Sequence, residues 1–185
     1  MPFRKLIDND GKFYPVEIDA HKDLALLQYT GGTTGTPKGA MLTHANLCAN
    51  TTQVCRWFVG AREGEEKIVG VLPFFHVFAM TLVVNMGVAL AAELFLLPRY
   101  ELDALLQTID KNSPAILMGI TTIFTAINAS PKLDKYDLSS IQHCISGGAP
   151  LPLEVNFFEQ LTGCVLVEGY GLSECSPVVT CNPLT

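Results

Sequence analysis

The chain has 185 residues, of which 49% are apolar and 16% charged, and its formal net charge is −6. A chain of this length can bury a core without disulfide or metal crosslinks, and its acidic balance gives no global reason to bind nucleic acid. The six cysteines include no Cys-x-x-Cys pair and no histidine partners at zinc-ligand spacing, and residues 1–5 are followed by polar residues instead of an apolar leader. We therefore expect a reduced, cytoplasmic protein.

Strand-like and helix-like segments alternate along the chain. Short apolar runs predict strands at 25–29, 67–72, 93–97, 115–119, 142–146 and 165–169. Helical spacing predicts helices at 43–58, 77–90, 101–111, 121–129 and 153–161, with Thr43 as the N-cap of the first. This alternation is typical of an α/β fold with a mainly parallel sheet and helices on both of its faces.

Three glycine-rich segments follow predicted strands, at 31–39, 147–150 and 169–171. In open parallel sheets, ligands bind at the carboxyl ends of the strands. We therefore expect these three segments to lie at the ligand-binding edge of the sheet.

One apolar stretch, 77–97, invites comparison with a membrane-spanning helix. Its polar interruptions are Thr81, Asn85 and Glu93, and Gly87 lies near its middle. A spanning helix needs about 20 apolar residues, whereas the second half of this stretch resembles a buried strand. We expect no transmembrane helix, while peripheral contact with the inner face of a membrane stays open.

Segment 30–39 has the composition of a phosphate-binding loop. Its four glycines, four threonines and one lysine offer backbone N–H groups, hydroxyls and a cation in a small space. Lys38 follows Pro37 and precedes Gly39, which differs from the nucleoside-triphosphatase loop, and no Gly-x-Gly-x-x-Gly dinucleotide motif is present. The alternative is a flexible surface turn. The candidate phosphate-binding residues are Thr30, Gly31, Gly32, Thr33, Thr34, Gly35, Thr36 and Lys38.

Four motifs together resemble the adenylate-forming superfamily. Segment 29–44, YTGGTTGTPKGAMLTH, resembles its phosphate-loop signature, and the approach at 27–32 is most similar to the long-chain fatty-acid–CoA ligases. Three further segments match in the same order: LPFFHVF at 72–78, SGGAPLP at 146–152 and EGYGLSE at 168–174. The four motifs are spread, in the right order, over nearly the whole chain.

The resemblance implies a nucleotide site. Tyr170 would stack its ring on adenine, although a half-buried core tyrosine is the alternative. The glycines at 147–148 would let the backbone lie against the base or ribose, or would simply form a tight turn between strand and helix. The implied nucleotide-binding residues outside the loop are Gly147, Gly148, Ala149, Pro150, Gly169, Tyr170, Gly171 and Ser173.

The resemblance also implies a magnesium site and catalytic groups. Glu174 and the Thr30 hydroxyl would bind Mg²⁺ on the ATP phosphates, since this cation takes oxygen ligands. Ser173 stands where the family more often has threonine and retains the hydroxyl. His76 would belong to the acyl-binding region, with a core histidine as the alternative. The implied catalytic residues are Lys38, Thr30, Ser173, Glu174 and His76.

The apolar segments 77–87 and 118–122 are candidate walls of a fatty-acyl tunnel, and an ordinary hydrophobic core is the alternative for each residue there. A buried alkyl chain would contribute about 0.8 kcal/mol per methylene.

The implied reaction is ATP-dependent activation of a long-chain fatty acid to an acyl-adenylate, which the thiol of coenzyme A then captures. The family resemblance implies that 1–185 is a partial AMP-binding domain without the C-terminal lid, so we expect the isolated chain to make thioester poorly or not at all. Two alternatives stay open: an adenylating enzyme for an aryl or amino acid, and a non-catalytic nucleotide-binding module.

Overall fold

The computed structural model describes residues 3–8, 10–12, 15–30, 37–152 and 156–184. The strands are β1 (Leu24–Thr30), β2 (Lys38–Thr43), β3 (Lys67–Gly70), β4 (Glu93–Leu96), β5 (Ile116–Ile120), β6 (His143–Gly147), β7 (Val165–Gly171) and β8 (Val178–Cys181). The helices are α1 (Phe3–Ile7), α2 (His44–Trp57), α3 (Val77–Ala79), α4 (Met86–Ala89), α5 (Leu102–Asn112), α6 (Thr121–Asn128) and α7 (Asn156–Thr162). A π-helical segment, Met80–Asn85, joins α3 to α4, and 3₁₀ turns occupy Leu133–Lys135 and Ser173–Cys175.

The main sheet has the order β4-β3-β5-β6-β7-β8, and its first five strands are parallel. Only the edge strand β8 runs antiparallel, against β7. The prediction of an α/β fold with a mainly parallel sheet is therefore confirmed.

Helices cover both faces of this sheet because its central strands are apolar on both sides. In β5, Leu117 joins an apolar cluster with helices α5, α6 and α7, whereas Ile116 and Met118 join a second cluster with α2 and the π-helical segment. In β6, Cys144 belongs to the first cluster and Ile145 to the second. The alternation follows the period of two along a strand.

The prediction placed the strand at 25–29 in the parallel series, and this is wrong. β1 pairs antiparallel with β2 in a separate two-stranded sheet, in which Tyr29 is opposite Gly39 and Thr30 is opposite Lys38. The prediction missed β2 because its sequence was assigned entirely to the phosphate motif. Residues 38–39 of the predicted phosphate segment therefore belong to the β1–β2 hairpin, and residues 31–36 lie outside the described part of the chain.

The start of α2 confirms Thr43 as an N-cap. Its hydroxyl accepts a hydrogen bond from the Asn46 backbone N–H at 3.3 Å, and Asn46 Oδ1 accepts one from the Thr43 N–H at 3.0 Å. This reciprocal pair is a capping box, which satisfies two backbone donors at once.

The predicted helix at 77–90 is present but not uniform, since the π-helical segment separates its two α-helical ends. The predicted helix at 153–161 begins, within the described residues, at Asn156. Among the described residues, no helix is both long and apolar enough to cross a bilayer.

Candidate functional site

A cavity of about 1060 Å³ opens at the carboxyl ends of the parallel strands. Ile120 ends β5, Gly147 ends β6 and Gly171 ends β7, and all three line the cavity. The hairpin contributes Thr30 to the lining, and α2 contributes residues that include Val54. The predicted ligand-binding edge of the sheet thus contains a cavity.

The cavity brings together many of the predicted site residues. Those that line it are Thr30, His76, Gly147, Gly148, Gly169, Tyr170, Gly171, Ser173 and Glu174. Lys38, Ala149 and Pro150 are exposed and do not line it. The predicted phosphate-binding residues Gly31, Gly32, Thr33, Thr34, Gly35 and Thr36 lie outside the described part of the chain, and their roles stay predictions.

Two glycines of the site have conformational or steric reasons to be glycine. Gly148 has φ = +82°, in the left-handed region that side chains disfavour. A Cβ on Gly171 would overlap the carbonyl oxygen of Pro177. The tight-turn interpretation of the glycines at 147–148 therefore holds at Gly148, and it is compatible with a bound nucleotide.

Tyr170 lies on β7 opposite Thr180 and lines the cavity. Tyr170 is 58% exposed, so it is not the half-buried core tyrosine of the alternative interpretation. An exposed aromatic ring between Gly169 and Gly171 is available to stack on a planar ligand. Its contact with adenine stays a prediction.

Ser173 and Glu174 belong to the 3₁₀ turn that joins β7 to β8, and this turn lies beside both strands of the hairpin. The Leu172 N–H donates to the Pro177 carbonyl at 3.0 Å, which closes the turn from Gly171 onward. Glu174 is the one carboxylate among the described residues that line the cavity. No group of three or more His, Cys, Asp or Glu side chains forms a metal cage in the described part of the chain.

The Thr30 hydroxyl points across the hairpin and donates to the Lys38 carbonyl oxygen at 3.4 Å. Thr30 therefore connects the stem of the predicted phosphate loop to the cavity that Glu174 also lines. A hydroxyl and a carboxylate are both oxygen donors that suit Mg²⁺.

His76 is exposed and caps the N-terminus of α3, so the interpretation as a core histidine is wrong. Its Nδ1 accepts a hydrogen bond from the Phe78 N–H at 3.2 Å. In the neutral ring the proton then resides on Nε2, which leaves an N–H donor available in the cavity lining.

The apolar wall is formed by the helix that follows His76. Val77, Phe78 and Leu82 line the cavity, as does Ile120. Met118 instead lies fully buried in the sheet core and does not line the cavity, so the predicted wall at 118–122 is only partly correct.

Sequence reasoning missed Asn50 and Trp57, which line the cavity, and the buried Thr81. Asn50, Trp57 and Thr81 bind backbone atoms of the segment 176–182. The available signal was Asn50, a polar residue on the same helical face as the buried Val54 and Phe58.

One thiol also reaches the cavity. Burial raises the pKa of Cys181, and a hydrogen bond with Trp57 opposes this rise. Cys181 is thus a neutral thiol near neutral pH, and it adds no charge to the cavity lining.

Comparison with known proteins identifies the fold and the family. The family model described as AMP-binding enzyme matches residues 3–185. A long-chain-fatty-acid–CoA ligase of Bacillus subtilis is 50% identical over 167 residues, which are 90% of this chain and 30% of that protein. A probable 4-coumarate–CoA ligase 1 of Dictyostelium discoideum is 37% identical over 181 residues, which are 96% of this chain and 33% of that protein.

Among solved structures, ATP-bound MatB from Rhodopseudomonas palustris superposes with a TM-score of 0.81 at 31% identity, over 94% of this chain and 33% of that one. The chain thus spans about a third of the length of the relatives it matches. Because the family model matches almost from end to end, the chain belongs to the family of AMP-binding enzymes.

Proposed function

We propose that this chain supplies the nucleotide- and acid-binding face of an AMP-forming long-chain fatty-acid–CoA ligase. The observation that carries the proposal is a single cavity whose lining combines two chemically different kinds of side chain. Tyr170, Ser173 and Glu174 offer an aromatic ring and polar groups, and Phe78 and Leu82 are apolar. A substrate that joins a nucleotide to an alkyl chain requires both.

The proposed first step forms a mixed anhydride. A carboxylate oxygen of the fatty acid attacks the α-phosphorus of ATP, the bond from that phosphorus to the bridging oxygen breaks, and pyrophosphate leaves with the electron pair. In the second step the sulfur of coenzyme A attacks the acyl carbon, AMP leaves, and the thiol proton is lost. No covalent bond to the protein is needed, so the protein's contribution is positioning and charge stabilisation.

Several residues are suited to these tasks. Lys38 and the loop at 30–36 would bind the phosphates, Tyr170 would stack on adenine, and the Ser173 hydroxyl would contact the reacting carboxylate or the α-phosphate. The Nε2–H of His76 would donate to the acyl carboxylate. These roles are part of the proposal. The shared cavity lining supports those of Tyr170, Ser173 and His76, and the family supports those of Lys38 and the loop.

Mg²⁺ would be held by Glu174 and the Thr30 hydroxyl together with ATP oxygens, and when bound it neutralises charge on the departing pyrophosphate. The two residues fit this use because both are oxygen donors that line the same cavity. The turn that carries Glu174 also lies beside the strand that carries Thr30.

The apolar side chains of the cavity lining support an acid with a long alkyl chain. Each buried methylene would contribute about 0.8 kcal/mol to binding, so a wall of aliphatic and aromatic side chains favours long chains over short ones. The second candidate is an aryl acid, which the similarity to a probable 4-coumarate–CoA ligase favours. Phe78 in the cavity wall is suited to contact with an aromatic ring.

We further propose that the chain is part of a longer ligase whose remaining part includes a mobile lid. The support is that its relatives are about three times as long as the matched segment. On this proposal the isolated chain binds nucleotide weakly and makes little thioester.

Pyrophosphate exchange tests the function. Full-length ligase and isolated chain are each incubated with ATP, Mg²⁺, labelled pyrophosphate and one acid from a panel of fatty, aryl and amino acids. We expect exchange by the full-length protein to be fastest with long-chain fatty acids. Fastest exchange with an aryl acid would move the assignment to the second candidate. In a separate incubation with ATP, Mg²⁺, the acid and coenzyme A, rapid thioester formation by the isolated chain would overturn the proposal about the lid.

Titration with ATP distinguishes the alternative of a non-catalytic nucleotide-binding module from that of an enzyme. A ligand that binds only the folded state raises the melting temperature, and Trp57 lines the cavity as the sole tryptophan. Stabilisation by ATP without exchange with any acid would indicate the module.

A further inference from the structure

Three side chains hold the backbone of one segment by long-range hydrogen bonds. This segment, 176–182, directly follows the turn that carries Ser173 and Glu174. Asn50 and Trp57 reach it from α2, and Thr81 reaches it from the π-helical segment. The groups are far apart in sequence, so the bonds join separate parts of the fold.

Asn50 makes the most specific of these contacts. Its Nδ2 donates to the Val178 carbonyl oxygen at 2.8 Å, and its Oδ1 accepts from the Val178 N–H at 3.1 Å. The side chain thus pairs with both backbone groups of one residue, as a neighbouring strand would. Asn50 is only 5% exposed, so water cannot readily replace these bonds.

Val178 is the residue at which the turn rejoins the sheet. It begins β8 and is paired with Gly171, the last residue of β7. Fixing Val178 therefore fixes the distance between the two ends of the loop in which Ser173 and Glu174 lie.

Thr81 binds the same loop from a fully buried position in the π-helical segment. Its side chain is 0% exposed, and its hydroxyl donates to the Ser176 carbonyl oxygen at 3.0 Å. Ser176 has φ = +77°, a left-handed conformation that a serine adopts only when its surroundings hold it. A third bond, from Trp57 Nε1 to the Asn182 carbonyl oxygen at 3.0 Å, holds the end of the segment.

We propose that Asn50 and Thr81 are positioning residues, which fix the backbone after Glu174 so that Ser173 and Glu174 stay in the cavity lining beside the strand that carries Thr30. The inference rests on the proposed function, because it assigns these bonds to the geometry of the ATP and magnesium site. The other interpretation is that they serve folding stability alone.

The test uses the full-length ligase and isosteric substitutions. Asn50→Leu and Thr81→Val each remove hydrogen bonds at nearly constant volume, and Thr81→Ser keeps the hydroxyl. Thr51→Val is the matched control, since Thr51 is buried on the same helix and its hydroxyl donates only within that helix, to the Leu47 carbonyl at 2.8 Å.

Pyrophosphate exchange gives kcat, the KM for the fatty acid and the Mg²⁺ concentration for half-maximal rate. A small displacement of reacting groups can lower a rate by about 100-fold. We expect kcat to fall by about that factor in Asn50→Leu and Thr81→Val, with a higher Mg²⁺ requirement and little change in the KM for the acid. Thr81→Ser and Thr51→Val should retain wild-type kcat and Mg²⁺ dependence.

The outcomes separate the inference from the proposed function. If the wild type exchanges pyrophosphate and the two folded variants keep its kcat and Mg²⁺ dependence, the positioning role is overturned while the proposed function stands. The same holds if Thr51→Val reduces kcat as much as they do, because the effect then follows stability. If Asn50→Leu does not fold, the comparison of Thr81→Val with Thr81→Ser decides alone. Absence of exchange by the wild type with any acid removes the proposed function and this inference with it.

Discussion

Thr30 and Lys38 lie opposite each other where the hairpin closes, and the Thr30 hydroxyl donates to the Lys38 carbonyl oxygen. The two residues flank the loop at 31–36 and fix the separation of its ends. Lys38 is exposed, and its side chain has no ion-pair partner among the described residues. Its charge is therefore available for a phosphate.

Replacement of Lys38 should impair catalysis without affecting the fold. In the full-length ligase we expect Lys38→Ala to lower kcat for pyrophosphate exchange by about 100-fold, because a charge that stabilises the transferring phosphates is lost. The matched control is Lys22→Ala, an exposed lysine paired with Asp19 on the surface. An equal loss in both variants would contradict the specific role of Lys38.

Tyr170 should affect nucleotide binding through its ring. An aromatic stacking contact contributes about 0.5–1.5 kcal/mol, so we expect Tyr170→Ala to raise the KM for ATP by roughly 2- to 10-fold. Tyr170→Phe keeps the ring and should keep the KM. If Tyr170→Phe is as impaired as Tyr170→Ala, the hydroxyl and not the ring makes the contact.

Gly171 should be intolerant of a side chain. Its added Cβ would overlap the Pro177 carbonyl oxygen, and relief of such overlap costs typically about 1–3 kcal/mol. Denaturant unfolding of Gly171→Ala should show a loss in this range. Gly39→Ala is the control, because a Cβ there meets Tyr29 at an ordinary 3.6 Å. We expect Gly39→Ala to unfold at nearly the wild-type denaturant concentration.

Alkaline pH should destabilise the fold through Cys144. Burial raises the pKa of this thiol well above its ordinary value of 9.0. The folded state thus retains the proton more tightly than the unfolded state, so the stabilisation is complete below about pH 9 and declines as the pH rises further. A hydrogen bond from Cys144 lowers the pKa of Cys164, which reduces the net effect.

The measurement is the free energy of unfolding as a function of pH in the wild type and in Cys144→Ala. The variant should lose stability at all pH values because a buried side chain is truncated, but its decline above about pH 9 should be shallower. Parallel curves would assign the alkaline decline to other groups.

The parallel sheet could be predicted because its central strands are short apolar runs separated by segments with helical spacing. The hairpin could not, since Gly39 and Lys38 were already explained by the phosphate motif and Met41 faces solvent. β8 was missed for a related reason. Only four residues long, it has partly exposed side chains and no apolar alternation.

The cavity lining was predictable where a motif marks it, as at Tyr170 and Glu174. Asn50 and Thr81 carry no motif, and their importance depends on backbone groups of Val178 and Ser176 that are distant in sequence. The distribution of long-range side chain–backbone hydrogen bonds is a property of the folded chain, and local patterns do not encode it.

The separation of the β1–β2 hairpin from the six-stranded sheet has a consequence for local stability. In the described part of the chain the two sheets share no strand pairing. The hairpin can therefore open without breaking any pair of the main sheet, and its amide hydrogens should exchange with solvent through local opening. Amides of β5 and β6, which are paired on both edges, should exchange only on larger unfolding, so the phosphate-loop stem should be less protected than the centre of the main sheet.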